Sequence, residues 1–259
     1  MHANSLIKAE ISRHQERSTV SFIGGAGSGK TTAAALLVYC MSAYWAARHM
    51  DVYPMVTTGG RRLRDALEGI KKGRYPAHAR DASKQDTVIT INDLRGRPRA
   101  RGVVIHDMAG MHHAGLLAEG EPGRVLAAVL QEGLGSLVFA KRYVLVADCS
   151  RPDAGAGDLG AAVRGIAGAR GIAYGTGGGI GAPVAVLLTK TDTLPEDVRE
   201  GPARRIAARY PGLLEIIGSG REAGFFKSGV AADPGGGIAL PLAYDRPEYS
   251  RLISWILDG

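Results

Sequence analysis

The sequence predicts a layered α/β fold: a mostly parallel sheet with helices packed on both faces. Strand-like and helix-like segments alternate along the chain. Apolar runs of strand length are bounded by turn residues, as buried strands require. One pair of strand candidates is joined by a turn too short for a crossover, so that pair is expected to be antiparallel.

Taken in order, Ser18–Gly24 reads as a strand and the nearly all-apolar Lys30–His49 as a buried helix. Residues 61–72, RRLRDALEGIKK, put Leu63, Leu67 and Ile70 on one face of an amphipathic helix. DTVITINDL (86–94) and RGVVIHD (101–107) are strands joined by RGRPRA, the expected hairpin. Residues 124–140 are expected as a helix, RYVLVAD (142–148) as a buried strand, and 158–174 as a helix ending in GTGGG. APVAVLLTK (182–190) is another buried strand, 196–210 another helix, and GFFKSGV (224–230) a short strand. PEYSRLISWILD (247–258) closes the chain as a helix with Tyr249, Leu252, Ile253, Ile256 and Leu257 facing inward. The connection from about Met50 to Gln85 is longer than the usual handful of residues. It suggests an inserted segment (50–85) within a single domain spanning 1–259.

Hydrophobic content of 45% and charged content of 22% are ordinary for a globular domain, and the 37 glycines gather in turns rather than in a repeat. The net charge of +7 comes mostly from arginine and suits either an acidic partner or a solvated basic rim. Basic residues crowd segments 61–74 and 95–101, and the second has none of the interleaved aromatics that stack nucleic-acid bases. Cys40 and Cys149 both lie in apolar runs, which favours buried free thiols over a disulfide framework. The first residues carry no apolar signal-peptide core, and the uncharged run 31–47 is at the lower length limit for a membrane span. A cytoplasmic location is expected, with peripheral attachment to an anionic membrane left open.

The strongest chemical signal is VSFIGGAGSGKTT (20–32), which satisfies G-x-x-x-x-G-K-[ST] between a strand and a helix. In such a loop the backbone N–H groups of Gly24, Gly25, Ala26, Gly27, Ser28 and Gly29 turn inward onto a phosphate, helped by the dipole of the following helix. Lys30 would bridge β- and γ-phosphates, Thr31 would ligate Mg²⁺, and Thr32 beside it is a further nucleotide-binding candidate. A second acidic position is expected at the end of a neighbouring strand. Asp107 supplies it, in Asp107-Met108-Ala109-Gly110, a D-x-x-G pattern whose glycine can approach the γ-phosphate closely.

Thr189-Lys190-Thr191-Asp192 follows a buried strand and matches the guanine-reading pattern [N/T]-K-x-D. A carboxylate at Asp192 can accept from N1–H and the exocyclic amine of guanine, whereas adenine offers no such donors. The aliphatic stem of Lys190 can lie over the base. Ser228 and Gly229, after the last strand, are candidates to present backbone N–H groups to the guanine O6.

With these residues in this order, the chain resembles the Ras-like and translation-factor (TRAFAC) class of P-loop GTPases, in its prokaryotic form. The resemblance implies a three-layer P-loop NTPase fold of about six strands with one antiparallel strand, and a GTP/GDP switch that uses Mg²⁺. It also implies a threonine before the hairpin that closes over the metal, for which 76–87 offers only Ser83 and Thr87. Many members place a water-orienting Gln or His after D-x-x-G. Met111 stands there, and His112 and His113 follow as the catalytic candidates beside Lys30.

The function expected is therefore slow GTP hydrolysis by a molecular switch. A P-loop ATPase and a nucleotide-holding module with little hydrolysis stay open as alternatives. The partners left open are an effector or regulator protein, an anionic membrane or nucleic-acid surface met by 61–74 and 95–101, and a second copy in a nucleotide-dependent homodimer.

Overall fold

The computed structural model describes residues 2–15, 18–46, 50–54, 58–76, 86–93, 101–107, 121–175, 180–210, 224–231, 233–239 and 246–258. The first half of the chain runs α1 (His2–Gln15), β1 (Ser18–Ile23), α2 (Lys30–Ala46), β2 (Met50–Pro54), α3 (Thr58–Lys71), β3 (Asp86–Asp93) and β4 (Arg101–Asp107). After these come α4 (Pro122–Gln131), α5 (Gly135–Phe139), β5 (Arg142–Asp148), α6 (Pro152–Tyr174) and β6 (Val184–Thr189). A 3₁₀ turn (Thr191–Thr193), α7 (Glu196–Arg199), α8 (Ala203–Ala207), β7 (Gly224–Ser228) and α9 (Arg246–Asp258) complete it.

These strands form one seven-stranded sheet in the order β2-β3-β4-β1-β5-β6-β7. Strands β4, β1, β5, β6 and β7 run parallel to one another. β3 is antiparallel to both β2 and β4. Side chains alternate across the sheet with the strand period of two. Tyr143 and Leu145 enter one core and Val144 and Val146 the other, so β5 must be apolar throughout. One core is shared with α1, α4, α5, α6, α7 and α8, and the other with α2, α3 and α9. This is the layered α/β arrangement expected.

Helix α2 buries Ala33 to Leu37 and Met41 against the sheet, α3 and α9. That stretch of its apolar surface is therefore covered by protein, and no described helix is long and apolar enough to cross a membrane. In α3, Leu63 and Ile70 are buried with Ala66, and Leu67 packs at their margin.

Four features depart from the sequence reading. Residues 50–85 contribute more than a helix: Met50–Pro54 pairs with Ile89–Asp93 as an outer strand. Pro54 is tolerated because an edge strand leaves one side without ladder bonds. The expected helix 124–140 is two helices, broken at Gly133, which has φ 66°. There Leu134 N donates to Val129 O at 2.8 Å and Gly133 N to Leu130 O at 3.1 Å, the double closure that ends a helix on a left-handed glycine. Residues 196–210 likewise split into α7 and α8, because Pro202 cannot continue α7. Finally, α1 was not expected; Ile7 and Ile11, one turn apart, pack it onto the core.

Candidate functional site

Register brings the carboxyl ends of the parallel strands to one edge of the sheet, where ligands bind in open α/β folds. Phe22 of β1 pairs with Asp107, Asp148 with Thr189, and Thr189 with Ser228. The Gly24–Gly29 loop leaves this edge from β1 and opens α2.

Local geometry explains the glycines of that loop. A methyl group at Gly24 would lie 2.6 Å from the Val146 carbonyl oxygen, so only glycine lets β1 pass β5 there. Gly27 and Gly29 have φ 71° and 85°, the left-handed region that side chains disfavour. Gly25, by contrast, has nothing within 4 Å of where a Cβ would stand. Ala33 N donates to Gly29 O at 2.8 Å, the first α-helical bond, and the N–H groups before it favour an anion.

The Lys30 side chain folds over this loop. Its Nζ donates to Gly24 O at 2.8 Å and to Gly25 O at 2.7 Å. The residue is buried, so an ammonium is held among backbone carbonyls at the loop mouth. Ser28 Oγ is also buried and has no hydrogen-bond partner among the described residues. Thr31 and Thr32 are half-buried in the first turn of α2.

The residues at the end of β6 meet this loop directly. Thr189 Oγ1 lies 2.6 Å from Ser28 O and 3.1 Å from Ala147 O, bracing the Gly24–Gly29 loop against β5 and β6. Lys190 has φ 54°, the only positive φ outside glycine among the described residues. Its Nζ donates to Asp148 Oδ2. Asp192 is the middle residue of the 3₁₀ turn and accepts from Val230 N at 3.3 Å. Gly229 is a glycine for a steric reason: a Cβ there would lie 2.9 Å from Thr191 Oγ1 and 3.1 Å from Asp192 N. The neighbouring Ser228 Oγ is 2.7 Å from the Tyr249 hydroxyl.

The structure thus brings together Gly24 to Thr32, Thr189, Lys190, Asp192, Ser228 and Gly229, with the backbone of Asp107 on the strand beside β1. Gly110, Met111, His112 and His113 lie outside the described residues, as do Ser83, the side chain of Asp107 and residues 95–100. Among the described residues no group of three or more His, Cys, Asp or Glu side chains is placed to hold a metal. The Mg²⁺ candidates expected from the sequence, Thr31 and Asp107, would belong to a different type of site, in which Mg²⁺ takes one or two protein ligands and phosphate oxygens and water supply the rest.

Two residues at this edge escaped the sequence reading. Asp148 is the acidic end of RYVLVAD, as Asp107 is of VVIHD, and that parallel was the available signal. Burial raises the pKa of the Asp148 carboxyl, but hydrogen bonds from Lys190 and Ser150 outweigh it and hold the group below its ordinary value. Tyr75 donates from its hydroxyl to Val230 O at 3.4 Å. Burial, then the Asp192 and Asp233 carboxylates, raise its pKa. Nothing local marks Tyr75, because Ile238 N, donating to Gly73 O at 2.8 Å, joins the end of α3 to the loop after β7.

No family model matches the chain, and no curated protein matches it.

Proposed function

We propose that the chain is a P-loop NTPase of the Ras-like class, a single G domain that binds GTP and hydrolyses it slowly to GDP and phosphate. The observation carrying this reading is the contact from Thr189 Oγ1 to Ser28 O, which seats the TKTD turn against the phosphate loop. One ligand reaching both must present a polyphosphate to Lys30 and a base to Asp192. Strand order supports the same reading: β4, bearing Asp107, lies directly beside β1, and its other neighbour β3 is antiparallel. Motor and transporter ATPases usually lack that antiparallel neighbour.

In this reading Lys30 leaves the Gly24 and Gly25 carbonyls for the β- and γ-phosphate oxygens, while the loop amides hold the β-phosphate. Thr31, and Asp107 through water, are the residues that would hold Mg²⁺, whose contribution is to neutralise phosphate charge. Asp192 accepts from guanine N1–H and N2–H, and the Lys190 stem covers the base. Catalysis is positioning and electrostatics. Met111 cannot polarise water, which leaves His112 or His113 to orient it and makes turnover slow. The same methionine favours a second reading, a guanine-nucleotide holder with little hydrolysis. Arg61, Arg64, Lys71, Lys72 and Arg74 are exposed around α3 and offer a basic face to an acidic effector or anionic surface.

The test is the affinity of wild type and Asp192→Asn for GTP, GDP, XTP and ATP, with phosphate release followed in parallel. Wild type should prefer GTP, and Asp192→Asn should shift toward xanthine, which carries a carbonyl where guanine has its amine. ATP bound as tightly as GTP by wild type would end the guanine reading. Tight GTP binding without phosphate release would select the holder.

A further inference from the structure

Asp148 closes β5, the strand lying between the phosphate-loop strand β1 and the base-side strand β6. Its side chain is only 9% exposed, and both carboxylate oxygens are engaged. Oδ1 accepts from Ser150 N at 2.8 Å and from Ser150 Oγ at 2.6 Å. Oδ2 lies 2.5 Å from Lys190 Nζ. We infer that Asp148 is a positioning residue for the base: by anchoring the Lys190 ammonium it holds the lysine stem as a preformed wall of the base subsite. The inference rests on the guanine-nucleotide reading above.

Three observations point from this ion pair to a ligand rather than to stability alone. First, the pair is built on a costly backbone: Lys190 is a non-glycine residue at φ 54°. Such conformations persist where surroundings over-determine them, and they gather at functional sites. Second, the Lys190 side chain remains 38% exposed against 9% for that of Asp148, so the stem presents a face to solvent with its end tied down. A pair with one exposed partner adds little to folding stability. Third, the neighbouring hydrogen bonds tie the same few residues together. Cys149 N donates to Thr189 O at 3.0 Å, and Thr189 Oγ1 reaches both Ala147 O and Ser28 O. A free lysine stem would lose rotamer freedom on stacking against a base, and one already anchored has lost it beforehand.

The pair also solves an electrostatic difficulty. A carboxylate beside a polyphosphate site repels the ligand unless a cation neutralises it, and Lys190 neutralises Asp148 at the seam between the two subsites.

The experiment uses the full chain and three probes: a fluorescent GDP, ATP, and inorganic tripolyphosphate as a competitor lacking a base. Asp148→Asn is expected to weaken GDP binding about tenfold, the effect of one newly immobilised side chain, chiefly through faster release. Tripolyphosphate affinity should stay within about twofold of wild type, because the phosphate loop is not altered. In a Lys190→Met background, Asp148→Asn should change GDP affinity by less than about twofold, since the anchored partner is gone. Ser150→Ala, which removes one support of the carboxylate, should weaken GDP binding in the same direction by about twofold to threefold. It carries the test if Asp148→Asn does not fold. Unchanged GDP affinity in Asp148→Asn, or in Ser150→Ala where it stands alone, overturns the assignment. So does a parallel loss of tripolyphosphate affinity, which would mean a general structural role. If wild type does not prefer GDP over ATP the guanine reading itself has failed, whereas a GDP-selective wild type with an indifferent Asp148→Asn sinks only this inference.

Discussion

Thr189→Val removes one oxygen from a buried position while keeping the shape of the side chain. In the wild type that oxygen lies 2.6 Å from Ser28 O and 3.1 Å from Ala147 O, in a residue only 4% exposed. Valine leaves the Ser28 carbonyl without this partner inside a packed seam, which costs about 1–3 kcal/mol. For a chain of this size each kcal/mol moves the melting temperature by about 2–4 °C, so a fall of roughly 2–12 °C is expected. The lost bond also unfastens the peptide between Ser28 and Gly29, so under the proposed function the Gly24–Gly29 loop must be ordered again by the nucleotide. Up to about tenfold of affinity should go, and tripolyphosphate should lose as much as GDP because the damage lies in the phosphate cradle. Scanning calorimetry with competition binding on Thr189→Val and Thr189→Ser reads both effects, and serine, which keeps the hydroxyl, should sit close to wild type. If Thr189→Val melts within about 1 °C of wild type and binds tripolyphosphate equally well, the hydroxyl does not hold the loop and the reasoning is wrong.

Other outcomes follow from the same geometry. Gly24→Ala forces a methyl to 2.6 Å from the Val146 carbonyl and should cost about 1–3 kcal/mol with loss of nucleotide binding, whereas Gly25→Ala, with open space around it, should melt like wild type; calorimetry of the two variants decides. The Asp148 pKa is depressed below its ordinary 3.8, so the stability it contributes is present above the unfolded value and lost as pH falls through the folded one. The melting difference between wild type and Asp148→Asn should therefore hold steady at neutral pH and shrink below about pH 4. Cys40 and Cys149 are buried, and burial is the main reason the Cys149 thiol is pushed up to about 11. Native protein at pH 8 should accordingly react slowly with a thiol reagent at both positions, and rapidly only after unfolding. Arg170 is buried and gives Nη1 hydrogen bonds to Val138 O, Ala140 O and Tyr143 Oη. Arg170→Met strips the carbonyl end of α5 of these donors and should lower stability by about 3 kcal/mol in denaturant titration.

Much of the candidate site is legible as short stretches because its chemistry is a property of contiguous backbone. GGAGSGK announces a left-handed turn opening a helix, and Gly27, Gly29 and Lys30 adopt that geometry within a few residues of one another. The apolar runs of β1, β5 and β6 announce buried parallel strands, because each alternate side chain enters a different core. Other elements were hidden for equally physical reasons. Met50–Pro54 becomes a strand only because β3 offers it an open edge, and Gly133 breaks a helix that apolar periodicity alone would continue.

By itself the sequence determined which residues are unusual: a glycine loop before a lysine, the acid Asp107 closing a strand, a TKTD turn. Tertiary structure alone decided which of them meet. Thr189 and Ser28 are 161 positions apart in the chain, and Lys190 and Asp148 are 42 apart. Their contacts come from the parallel register of β1, β5 and β6, which brings the carboxyl ends of these strands level at one edge. Pairing of that kind is set by burial on both faces of the sheet, a property of the whole fold that no local stretch of chain carries.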